Sequence, residues 1–194
     1  MNVPYTVERR PDTGINNVKL GVWLFLASEA MLFGGLFSAY FTLRADATSW
    51  TPLISHRPIA FLNTALLLIA GAAFAAGIRE ARNRNVARFR ASTIAALILA
   101  GGFLVLKGVE YSRAASDGMW PRTSTEAGVY YLLTGVHALH VLGGMLVTLW
   151  LVLTTRATWS ADAPRVINRL EATAMYWYFV DVVWLILVVL LYVV

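Results

Sequence analysis

Cysteine is absent from the 194 residues. That absence excludes disulfides, thiolate nucleophiles, iron–sulfur ligation and covalent haem attachment. Histidine is confined to His56, His137 and His140. Charge is also scarce: Asp, Glu, Lys and Arg make up 14% of the chain, against about 25% in soluble domains. No glycine-rich phosphate loop occurs, and serines such as Ser28 and Ser38 lack an elbow motif. These gaps argue against an enzyme acting alone. The basic residues fall in short loop segments, which argues against nucleic-acid binding. What remains is apolar surface, 58% of the residues with a mean hydropathy of +0.62. The chain therefore reads as a membrane protein.

Five stretches are long enough to cross a bilayer as helices, at roughly 20 residues each. They are 19–43, 59–78, 92–111, 128–153 and 171–194. A lone span has to satisfy its own backbone hydrogen bonds, so each reads as α-helix. The expected fold is an all-α bundle of five transmembrane helices, residues 19–194, behind a polar amino-terminal tail at 1–18. The tail mixes Glu8 and Asp12 with Arg9 and Arg10, and the following apolar run is too long for the apolar core of a signal peptide. Eleven Lys and Arg residues lie in the tail and the even loops, against four in the odd loops (Arg44, Arg57, Arg113 and Arg122). That asymmetry places the amino terminus in the cytoplasm. Pro52, Pro58, Gly118 and Pro121 read as turns. Small residues recur at four-residue spacing, Ala30, Gly34 and Ser38 in the first span, Gly71 and Ala75 in the second. They read as close helix packing.

Ionisable groups inside the spans need a partner, a proton or a task. Glu29 and Asp181 each lie ten residues from the inner end of their spans, about 15 Å deep. His137 and His140 enter from the other side to a similar level and share a helix face at i and i+3. These four form a candidate midplane cluster, read either as interhelical hydrogen bonding or as proton equilibration. Two histidines on one face cannot supply both axial ligands of a haem, and no Glu-x-x-His pair of a di-iron site is present. No metal or cofactor is expected in this chain. Lys107 and Glu110, also at i and i+3, read as an ion pair near the outer headgroups with the lysine stem reaching outward. Glu171 opens the last span, where a carboxylate suits a helix amino terminus, or else it pairs with Arg165 or Arg169.

Several segments resemble subunit III of haem–copper terminal oxidases. They are Leu26-Ala27-Ser28-Glu29-Ala30-Met31-Leu32-Phe33, Leu62-Asn63-Thr64-Ala65-Leu66-Leu67-Leu68, Thr134-Gly135-Val136-His137-Ala138-Leu139-His140-Val141, and Glu171 followed by Tyr176-Trp177-Tyr178-Phe179-Val180-Asp181-Val182-Val183-Trp184. Lys107-Gly108-Val109-Glu110-Tyr111 adds a weaker match. They stand in family order and touch every span.

The resemblance implies an accessory subunit of a bacterial aerobic respiratory oxidase, in the short form with five spans rather than seven. It would pack beside catalytic subunit I and subunit II, which hold the haem and copper, in some cases within a larger respiratory supercomplex. It would stabilise subunit I, bind phospholipid and assist proton uptake. Glu29 matches the family's buried carboxylate. Phe25 and Arg156 match positions lining a lipid cleft, one wall of which then falls to another subunit. Tyr178 stands where the family usually has His, which removes titration near neutral pH from that position. Three rivals follow from the same residues: an accessory subunit of nitric oxide reductase, a stand-alone proton channel or transporter, and an independent metalloenzyme.

Overall fold

The structure is a computed structural model that describes residues 4–47, 50, 57–159 and 162–193, without the side chains of 155–158. His56 and Pro52 lie outside the described residues, as does the Arg156 side chain. Among the described residues there is no strand. Five helices form: α1 (Asn17–Asp46), α2 (Arg57–Arg82), α3 (Val86–Ser116), α4 (Thr125–Thr158) and α5 (Ala163–Val188), the last continuing as a π-helical turn over Val189–Val193. All five are long and apolar enough to cross a membrane.

Each helix runs past its apolar stretch, because hydropathy ends at the headgroups while capping ends at a polar side chain. Asn16 caps α1, its side-chain oxygen accepting from the Lys19 amide at 3.0 Å. Asn85 does the same for α3 through the Arg88 amide at 3.2 Å. Asp162 caps α5 through the Arg165 amide at 3.0 Å, with Pro164 in the first turn. α5 thus starts eight residues ahead of Glu171, not at it. After α3 the chain turns through Gly118 at φ 78°, a left-handed conformation that glycine adopts freely.

α2 and α3 form a hairpin joined by only three residues, and α5 runs through the centre of the bundle. Trp177, Val180, Trp184 and Leu187 of α5 are buried against Leu67 and Phe74 of α2 and Leu133 and Val141 of α4. α1 is peripheral and buries only Leu26, Phe33 and Tyr40. Contrary to the packing expected of them, Ala30, Gly34 and Ser38 lie on its exposed face, and nothing stands within 4 Å of a Cβ placed at Gly34. Gly71 does face the bundle.

Polar contacts fasten α1 at three levels. Lys19 reaches Glu171 of α5 at 2.8 Å, Glu29 reaches His140 of α4 at 2.8 Å, and the Tyr40 hydroxyl donates to the Leu190 carbonyl at 2.6 Å. Successive levels are about 15 Å apart along the helix. The tail folds against the same end: Asn16 and Asn168 pair at 2.7 Å, and Asn168 donates to the Thr6 carbonyl. Within it, the hydrogen bonds from the Arg10 guanidinium hold the Asp12 carboxyl down to about 2.

Candidate polar and lipid-facing sites

The four ionisable residues expected at one level do not converge. Glu29 and His140 meet, and both are largely buried at the α1–α4 contact. Val136, one turn earlier on α4, accepts from His140 Nδ1 at 2.8 Å. A carbonyl can only accept, so Nδ1 carries a hydrogen. The Nε2···Oε2 contact of 2.8 Å then holds one proton between the two residues. Carboxylic acid beside neutral imidazole and carboxylate beside imidazolium are the two ways of placing it. Either way the pair is neutral overall, which suits hydrocarbon surroundings. Phe33 packs its edge against the imidazole at 5.1 Å. Tyr176 of α5 donates to the His140 carbonyl at 2.7 Å, tying the third helix to this point.

His137 turns the other way, toward α3 and α5. Its ring stacks on Trp184 at 5.1 Å and meets the edge of Phe103 at 5.7 Å. It is fully buried, and neither ring nitrogen has a hydrogen-bond partner. Asp181 occupies a third place. Its Oδ2 lies 2.5 Å from where a Cβ on Gly71 would stand, so the missing side chain makes room for the carboxyl. Its Oδ1 is buried without a partner.

Lys107 does not reach toward headgroups. Its side chain is 2% exposed and that of Glu110 is 0% exposed, and they pair at 3.0 Å inside the bundle. The Lys107 ammonium also donates to the Tyr192 hydroxyl at 2.8 Å, while the Tyr130 and Tyr192 hydroxyls donate to Glu110 Oε1. The rings of Tyr111, Tyr130, Trp184 and Tyr192 surround the ammonium with centroids 4.9–5.5 Å away. Cation–π attraction strengthens where water is excluded. Trp184 links this cage to His137 on one side and donates through Nε1 to Thr64 of α2 at 3.0 Å. Tyr130, Tyr192 and Trp184 are invisible as polar partners in the sequence, where they look like ordinary core aromatics. The only signal was a Lys-x-x-Glu pair inside an apolar stretch.

Glu171 pairs with neither Arg165 nor Arg169. Lys19 takes one carboxylate oxygen at 2.8 Å and Arg82 the other at 2.6 Å. Arg169 instead lies over the Trp150 ring at 5.9 Å. It stands at one end of an apolar groove of about 480 Å³ between α1, α4 and α5, lined also by Val22, Phe25, Val147 and Tyr176. Phe25 is 46% exposed and tilts against Tyr176 at 6.0 Å. Of the two residues expected in a lipid cleft, the structure places Phe25 in this groove; the Arg156 side chain is outside the description. Among the described residues no group of three or more His, Asp or Glu side chains is placed to hold a metal ion.

Residues 11–194 match the family of cytochrome c oxidase subunit III. The chain is 33% identical to a probable cytochrome c oxidase subunit 3 of Mycobacterium leprae, over 91% of its length and 88% of that protein's. It is 30% identical to the cytochrome c oxidase subunit 3 of Bacillus sp. strain PS3, over 97% and 91% of the two lengths. It is 32% identical to the subunit of the same name from Thermostichus vulcanus, over 90% and 86%.

Proposed function

The chain belongs to the cytochrome c oxidase subunit III family, and we propose that it shields and steadies the catalytic subunit of a bacterial oxidase while holding phospholipid and one exchangeable proton. It is an accessory subunit of a haem–copper oxidase and a multi-pass protein of the inner membrane. The observation that carries this is the family match, which runs through all five helices. The relatives favour an oxidase over nitric oxide reductase.

Subunits I and II supply the haem and copper. The outward face of α1 supports docking against another chain, because Ala30, Gly34 and Ser38 let a partner helix approach closely. The basic end of the bundle faces the cytoplasm. Gentle purification through a tag on this chain tests the reading: companion oxidase subunits and a haem spectrum are expected, and a colourless solitary chain would overturn it.

The groove at Phe25 suits the acyl chains of a phospholipid, with Arg169 at its end for the phosphate; the family resemblance adds Arg156 to the same site. Arg156→Ala is expected to lower the phospholipid that co-purifies with the complex. Unchanged lipid phosphorus would remove Arg156 from the site.

The Glu29–His140 pair is the candidate proton site. In Glu29→Gln the amide N–H can donate to His140 Nε2 and imitate the protonated acid. Assembly is expected to be intact and turnover to change only modestly. Loss of oxidase activity in a fully assembled variant would assign Glu29 an obligatory role.

A further inference from the structure

A second pocket, of about 350 Å³, opens between α1, α2 and α5 and shares no lining residue with the groove at Phe25. Lys19, Arg79, Arg82 and Glu171 form its rim. Three cations stand against one carboxylate, an excess of two positive charges. Glu171 is already divided between Lys19 and Arg82. The Arg79 side chain has no hydrogen-bond partner among the described residues, and its guanidinium is exposed beside them. Below the rim the walls turn apolar, with Ala75, Ile78, Ala174 and Met175. Tyr178, about half exposed, lies at the far end, seven residues beyond Glu171 and so about 10 Å farther along α5.

A cationic mouth above an apolar slot matches an amphiphile with an anionic head. A soluble anion would satisfy the mouth and leave the slot bare. We propose that this pocket binds an anionic phospholipid, its phosphate against Arg79 and Arg82 and an acyl chain lying along Ala75 and Met175 toward Tyr178. Basic pockets between transmembrane helices on the cytoplasmic side hold such headgroups, and arginine forks suit phosphate oxygens. The site rests on the membrane orientation given above, because anionic lipid is concentrated in that leaflet. It does not depend on lipid in the groove at Phe25.

The test uses the whole oxidase complex in mild detergent, titrated with phosphatidylglycerol or phosphatidylcholine, with bound lipids counted by native mass spectrometry. The unaltered complex is expected to retain one more phosphatidylglycerol than Arg79→Gln, with equal phosphatidylcholine in both. Ala75→Phe fills the slot without removing charge and is expected to shed the same lipid. Equal phosphatidylglycerol in all three complexes overturns the proposal. Arg79-dependent retention of labelled inorganic phosphate with unchanged lipid counts also overturns it, and assigns the pocket to a soluble anion. Arg156→Ala, scored in parallel, separates the two sites: lipid lost there but not with Arg79→Gln overturns only this pocket, and the reverse result supports it.

Discussion

Lys107→Met is expected to destabilise the subunit by about 3–5 kcal/mol, the range for breaking a buried ion pair from one side. Glu110 would stay sealed in the bundle with two tyrosine hydroxyls and no cation. Methionine fills most of the lysine stem's volume, so the loss is electrostatic rather than a cavity. The double variant Lys107→Met with Glu110→Gln is expected to recover much of that loss, because the amide oxygen still accepts from Tyr130 and Tyr192 and no charge is stranded. Thermal release of this subunit from the purified complex measures both. A single variant as stable as the parent would mean that the pair is neutralised or hydrated rather than ionised and dry.

A β-carbon at position 144 is expected to be costly for a different reason. It would stand 2.8 Å from Tyr176 Cε1 and 3.3 Å from Trp177 Cζ2. Neither ring is free to withdraw. Tyr176 is held by its bond to the His140 carbonyl, and Trp177 Nε1 by Thr148 at 3.0 Å. Gly144→Ala therefore forces α4 away from α5 at a cost of about 1–3 kcal/mol, typical of overpacking, and Gly144→Val adds to it. Gly108→Ala is the control: nothing lies within 4 Å of its Cβ, and the change gains up to about 1 kcal/mol of helix propensity. Thermal scans of the assembled complex compare the three. Equal midpoints for the alanine variants at 144 and 108 would show that the α4–α5 contact yields more easily than its geometry implies.

Hydropathy and the need for internal hydrogen bonding made the five helices legible, and the cost of charge in hydrocarbon made Glu29, His140, Lys107 and Glu110 conspicuous. The directions in which they point were not legible. His137 and His140 share a face in the coarse sense of i and i+3, yet their directions differ by about 60°. On a helix wedged between neighbours that is enough to send one toward α1 and the other toward α3 and α5. Glu171 reads as a helix start because the apolar run begins there, yet α5 opens at Ala163. The stronger signal was Asp162 followed by Pro164, a cap and first-turn pair that does not depend on hydropathy. The π-helical turn at Val189–Val193 left no trace, since every residue in it is apolar or aromatic. So did the outward orientation of Ala30 and Gly34, because small residues pack as well against another chain as within their own.

The attachments of α1 at Lys19, Glu29 and Tyr40 bear on how that helix can move. Contacts of this type average only about 0.6 kcal/mol each within a membrane, so together they add little to the strength of the joint. Their placement matters more. A slide of one turn, about 5.4 Å along the axis, would part all three at once, whereas an apolar seam alone could slip and re-form. The three contacts therefore set α1 in one axial register, while its bare flank stays open to whatever lies against it.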